Sequence, residues 1–175
     1  ATDDGLFATS PSGEVAALSL DGTTVRWRSA TGLGGPACLQ GVVHEDGLFV
    51  VADSGTVVRL DAVSGQERWR RALGRDGFKL VLPGPGGGVA VVTDRTTVQV
   101  LGPEGDEPVL FEHSVQVGSV AHSPGGTRIV TASGNRALHV WRADGTLEQT
   151  LDVALADPFG AVFSDEDTLR FTVRE

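Results

Sequence analysis

The sequence predicts an all-β fold built from repeated four-stranded antiparallel units, on three observations. Residues 109–145 read as consecutive strand signals, VLFEH, VGSVAHS, TRIVTAS and ALHVW, rich in β-branched and apolar side chains. The breaks between them fall at Ser114, Pro124-Gly125-Gly126 and Gly134-Asn135-Arg136, with Asp144-Gly145 after the last, which supply the φ values tight hairpins need. This stretch is expected to form one run of four antiparallel strands. The third observation is that the rest of the chain repeats it.

The ends of the third strands line up at Trp27, Leu60, Val100 and Trp141, separated by 33, 40 and 41 residues. Turns between first and second strands line up at Ser12-Gly13, Asp46-Gly47, Gly86-Gly87, Gly125-Gly126 and Glu166-Asp167. Four strands at a period near 40 are the signature of β-propeller blades. The units span residues 5–35, 36–73, 78–112 and 113–153, with a partial fifth over 159–175, in one propeller segment. The first unit opens with its first strand, GLFATS, and is short by about seven residues after Gly32 against the expected period, which predicts a stunted outer strand. QERWRRAL (66–73) contains good helix formers but lies where a fourth strand is due. About eighteen strands are expected for this period, an incomplete or open propeller. An open edge at TLRFTVRE would lead to self-association, or to dependence on residues from the same or another chain.

The fourth unit resembles the WD-repeat propellers. His113 falls where that family has its Gly-His histidine, Val120-Ala121-His122-Ser123-Pro124 resembles V-A-F-S-P, Ser133 precedes the tight turn, and Trp141 ends the third strand. Asn135 stands where the family has Asp, and Arg142 where it has the Asp of the Trp-Asp pair. The first unit matches in part, through Ser10-Pro11, Ser19, Asp21-Gly22 and Trp27. The resemblance implies a buried hydrogen-bond network of His113, Ser133, Asn135 and Trp141, with Ser19, Asp21 and Trp27 its counterparts in the first unit. The middle units are more similar to quinoprotein-type repeats, where an L-D-A-x-x-G turn precedes a Trp, as in residues 60–69.

Composition narrows the function. The net charge of −9 repels phosphate backbones, and no stripe of Lys or Arg offsets it, so nucleic acid is not an expected partner. No apolar run is long enough to span a bilayer. The chain starts without a basic segment or an apolar core, so nothing resembles a signal peptide, and without Met, so it reads as a processed product or an excised piece. The single cysteine, Cys38, favours a reducing, cytoplasmic compartment. No G-x-S-x-G elbow accompanies the Ser, His and Asp residues, none of the four histidines has metal-ligand spacing, and the Gly84–Gly88 run lacks a following Lys-Ser/Thr. No catalytic residue, metal or cofactor is therefore expected. The expected function is a non-catalytic scaffold for a protein partner or for other domains of the same chain. Turns before strand one and after strand two would present Asp53, Arg75, Asp76, Arg95 and Arg136 to it. The alternatives are a fragment of a pyrroloquinoline-quinone-dependent dehydrogenase, or a purely structural domain.

Overall fold

The computed structural model describes residues 5–33, 40–74, 80–153 and 157–174. Cys38, Arg75 and Asp76 lie outside the described residues. The chain divides into two compact units, Ala1–Val81 and Leu82–Glu175.

In the first unit, β1 (Gly5–Thr9), β2 (Glu14–Ser19) and β3 (Val25–Ala30) form a three-stranded sheet. Strands β4 (Gln40–His44), β5 (Gly47–Val51), β6 (Thr56–Asp61) and β7 (Glu67–Ala72) form a four-stranded sheet in chain order. QERWRRAL is thus an outer strand. In the second unit the third sheet orders β8 (Leu80–Pro83, opening at the junction), β9 (Val89–Thr93), β10 (Thr97–Leu101) and β11 (Val109–Glu112). The fourth sheet follows with β12 (Val117–His122), β13 (Arg128–Ser133), β14 (Ala137–Arg142) and β15 (Leu147–Asp152). Strands β16 (Asp157–Phe163) and β17 (Leu169–Arg174) make a two-stranded fifth. The described residues hold seventeen strands.

Two expectations are corrected here. The run of four strands starting at VLFEH is not one sheet but falls on both sides of the unit boundary at 112 and 113: β11 pairs with β10 and ends the third sheet, and the fourth begins at β12. The first unit was also read one strand out of register. Its three strands correspond to β5, β6 and β7, because Gly5 and Gly47, Phe7 and Phe49, Gly13 and Gly55, and Trp27 and Trp69 are each 42 residues apart. A bulge sets this register in both sheets. Between β2 and β3 the pairing steps from Ala17–Trp27 to Leu18–Val25, and between β6 and β7 from Arg59–Trp69 to Leu60–Glu67. So β3 is a full outer strand, Trp27 matches Trp69 rather than Trp141, and Ser12-Gly13 is a turn between second and third strands.

The central strands GLFVV, VAVVT and TVQVL are buried throughout, apolar except for Thr93, Thr97 and Gln99, of which Gln99 donates its amide N–H to the Thr93 hydroxyl at 3.1 Å. The outer strands β7 and β15 are mostly exposed. In the first unit Val15, Leu48, Val50, Val58 and Leu60 form one core, with Phe7 and Trp27 packed on it. In the second, Val130, Ala132, Leu138, Val140 and Ala161 form another, covered by Phe163 and Leu169.

Four of the five described sheets are fastened by a bond from the chain that follows them. The N–H of Thr31 donates to the Gly13 carbonyl at 2.9 Å, Leu73 to Gly55 at 2.9 Å, Val117 to Arg95 at 2.8 Å and Val153 to Arg136 at 2.8 Å. The acceptor always lies in the turn joining the second and third strands, so these turns are clamped by the outgoing chain.

Candidate functional site

Side chains expected to act together separate into distinct groups. In the fourth sheet, Ser133 and Asn135 meet: the Ser133 hydroxyl donates to Asn135 Oδ1 at 2.6 Å, with the Ala137 carbonyl at 3.2 Å. Trp141 is not in this chain. Its indole N–H donates to Thr131 Oγ1 at 2.9 Å, and Thr131 is fully buried. His113 is not in it either. Its ring packs edge-on against His139 and Trp141, with centroids 5.0 and 5.3 Å apart, and His139 Nδ1 lies 3.4 Å from Ser133 Oγ. The network implied by the family resemblance therefore divides into a Ser133–Asn135 turn bond, a Thr131–Trp141 bond and an aromatic cluster completed by Phe111.

His113 Nε2 is buried with no hydrogen-bond partner among the described residues. Burial, and secondarily the neighbouring His139, push the His113 ring down to about 4. Burial also lowers His139. Both rings are neutral near pH 7, which lets them pack against Trp141 without a desolvated charge.

In the first sheet Ser19 and Asp21 meet in a turn: the Ser19 hydroxyl donates to Asp21 Oδ1, which also accepts from the Thr23 N–H at 3.0 Å and hydroxyl at 2.9 Å. These bonds, the Ser19 one foremost, hold the Asp21 carboxyl down at about 2. Trp27 stands apart, donating to the Ala62 carbonyl at 3.2 Å and lying so close over Gly65 that a Cβ there would clash with the indole.

One group carried no sequence signal. The cleft of about 670 Å³ in the second unit is lined by Thr127, Arg128, Arg142, Ala143, Asp144, Glu148 and Glu166. Arg128 binds Glu148 through two bonds of 3.0 and 3.2 Å, Asp167 at 3.0 Å and the Glu166 carbonyl at 3.2 Å. Glu166 accepts from the Gly125 N–H and, at 3.1 Å, from the Thr127 hydroxyl. The acidic tip Asp165-Glu166-Asp167 is thus a latch between the fourth and fifth sheets. Its carboxylates are engaged by this chain's own donors, hydrogen bonding to Ser123 foremost lowering Glu166.

The expected partner-binding residues occupy hairpin tips. Asp53 is exposed in the β5–β6 turn of the first unit. Arg95 and Arg136 are exposed in the β9–β10 and β13–β14 turns of the second, both with positive φ. Among the described residues no three His, Cys, Asp or Glu side chains are placed to hold a metal ion. No helix among the described residues is long and apolar enough to cross a membrane.

Comparison with known proteins follows this geometry. Residues 11–147 match a family model described as outer membrane protein assembly factor BamB. No curated protein matches the sequence. Among solved structures the chain is similar to the C-terminal WD40 domain of Sif2, with a TM-score of 0.77 at 12% identity, over 98% of this chain and 52% of that one. At that identity the likeness shows the fold, and the antiparallel sheets are blades of a β-propeller. The chain spans about half the length of the solved structure it matches.

Proposed function

The chain belongs to the family described as outer membrane protein assembly factor BamB, and from that premise we propose that it is a non-catalytic propeller segment that holds protein partners during the assembly of outer membrane proteins. The observation that carries the reading is the match over residues 11–147, which takes in the whole second, third and most of the fourth sheets. The clamped hairpin turns support it, because short turns fixed by the outgoing chain offer exposed side chains from a rigid base. The charges of the Arg128 latch are satisfied internally, which suits a structural joint better than a reactive centre.

The expected cytoplasmic compartment rests on Cys38 alone. A role in outer membrane protein assembly places the chain in the cell envelope instead, and fractionation with an envelope marker separates the two. The function itself is tested by deleting the coding segment in its host and measuring folded outer membrane β-barrels by heat-modifiable gel mobility. Their depletion is the expected result, and unchanged levels overturn the proposal.

A further inference from the structure

The turns between second and third strands differ in one respect between the two units. In four of them the residue whose carbonyl receives the outgoing chain has a positive φ: Gly13 at 83°, Gly55 at 76°, Arg95 at 69° and Arg136 at 61°. Glycine occupies this left-handed conformation freely, whereas an L side chain is strained there. The first unit uses glycine both times. The second unit uses arginine both times, and Asp94 before Arg95 is left-handed as well, at 42°. The backbone clamp is made equally well by either residue type, so the clamp does not explain the arginines.

The arginine side chains have no structural task of their own either. Both residues are exposed, and among the described residues neither guanidinium has a hydrogen-bond or ion-pair partner. This contrasts with Arg28, Arg68, Arg70 and Arg128, each paired with a carboxylate. Strain retained at a residue with a free functional group marks a position where that group is used.

The two turns are also fastened together. Val117 N–H donates to the Arg95 carbonyl at 2.8 Å, and the Gln116 carbonyl accepts from Gly134 N–H at 3.0 Å. Gln116, at the end of the segment joining the third and fourth sheets, and Val117, the first residue of β12, therefore hold both turns at the same end of the unit. Arg136 lies two residues beyond Gly134.

We propose that Arg95 and Arg136 form a two-pronged docking point for an acidic peptide segment of a protein partner, each guanidinium taking one carboxylate. The inference rests on the scaffold reading above and names the chemistry of the partner. Arginine suits the task because its planar fork accepts a carboxylate through two parallel bonds and keeps its charge at all working pH values. The net charge of −9 opposes the long-range approach of any extended polyanion, so attraction is confined to the two guanidiniums and suits a short acidic segment better than a nucleic acid.

The test titrates the full chain into a fluorescently labelled, glutamate-rich decapeptide at low salt, with a lysine-rich peptide and a short single-stranded DNA as controls. Wild type binds the acidic peptide and neither control. The double variant R95G/R136G weakens that binding at least about tenfold, while its thermal midpoint is unchanged or higher because the strain is released. The R95K/R136K variant keeps the charge and weakens binding less than the glycine pair. Unchanged peptide binding in R95G/R136G, a lowered midpoint in that variant, or DNA bound as tightly as the peptide overturns the proposal. Its failure is distinct from failure of the scaffold reading. Normal outer membrane protein levels with R95G/R136G, alongside depletion on deletion, reject the docking point and leave the scaffold standing. No depletion on deletion rejects the scaffold whatever the peptide does.

Discussion

The second and fourth sheets share a register and differ in which face carries the aromatic side chains. In the second, Phe49, Arg59 and Trp69 lie in one cross-strand row, with the Phe49 and Trp69 rings 5.9 Å apart and the Arg59 guanidinium 5.8 Å from the Phe49 ring. The equivalent row of the fourth sheet is Val130, Val140 and Gln149. One residue along β6 and β14, past the same bulge, the second sheet has Leu60 and the fourth has Trp141. One aliphatic cluster includes the Leu60 face of the second sheet and another the Val140 face of the fourth, while Val51 and Val57 on the Phe49 face of the second sheet are fully buried as well. The repeat thus keeps the bulge and hairpin geometry, which set register, while the aromatic side chains move from one face to the other. A β-sheet tolerates this because neighbouring residues in a strand point to opposite sides.

Trp141→Ala is the largest break in this comparison. It removes a buried aromatic and leaves the fully buried Thr131 hydroxyl without its donor. Denaturant unfolding should show a loss of about 3–5 kcal/mol, against little change for the exposed Asp144→Ala. Equal losses would show that the aromatic face of the fourth sheet is not a packing face.

The next effect belongs to the first unit. Gly65→Ala places a Cβ against the Trp27 indole at a φ of +72°, whereas Gly22→Ala, at +70°, meets nothing within 4 Å. The first should cost about 2–3 kcal/mol and the second only about 1 kcal/mol of backbone strain. Thermal melts of the two variants separate packing from conformation.

A smaller effect follows from His113. Its folded-state value of about 4 is below the unfolded value near 6.5. Between those limits the unfolded chain binds a proton that the folded chain excludes, so stability is full above about pH 6.5 and declines as the pH falls through 4. The half-buried ring keeps part of its hydration, and the loss should be about 1–2 kcal/mol. His113→Phe should flatten this part of the stability–pH curve; an unaltered slope would assign it to other groups.

Asn135→Asp is the smallest change. A carboxylate accepts the Ser133 hydroxyl more strongly than an amide does, so a gain of under about 1 kcal/mol near neutral pH is expected in this turn. Ser133→Ala in the same background should abolish it.

The four-stranded pattern was legible because apolar runs and Gly-containing turns are local signals. The identity of the first unit's strands was not. A Trp ends the third strand in the fourth sheet and sits on the outer strand in the first two, so Trp27 supported either register until the bulge opposite Ala17 decided it. The partner of the Trp141 indole was misread for a similar reason. Thr131 and Ser133 are two residues apart on one face of β13, and only the cross-strand pairing tells which hydroxyl the ring reaches. The Arg128 latch joins side chains 20 and 39 residues apart, and no periodicity marks such pairs. The exposed arginines at hairpin tips could be named from sequence, but their left-handed backbone could not, since a turn sequence with Arg accommodates several turn types.

The clasp between each outgoing chain and its hairpin turn leaves a signature in proton exchange. The amides of Thr31, Leu73 and Val153 lie just outside the strands, where exchange is ordinarily fast, yet each donates to a turn carbonyl within 2.9 Å. Each opens only when its hairpin separates from the outer strand, so its deuterium uptake reports the opening of one whole sheet rather than fraying of a strand end. The three amides are therefore built-in clocks, and comparing their rates orders the first, second and fourth sheets by the ease with which each comes apart.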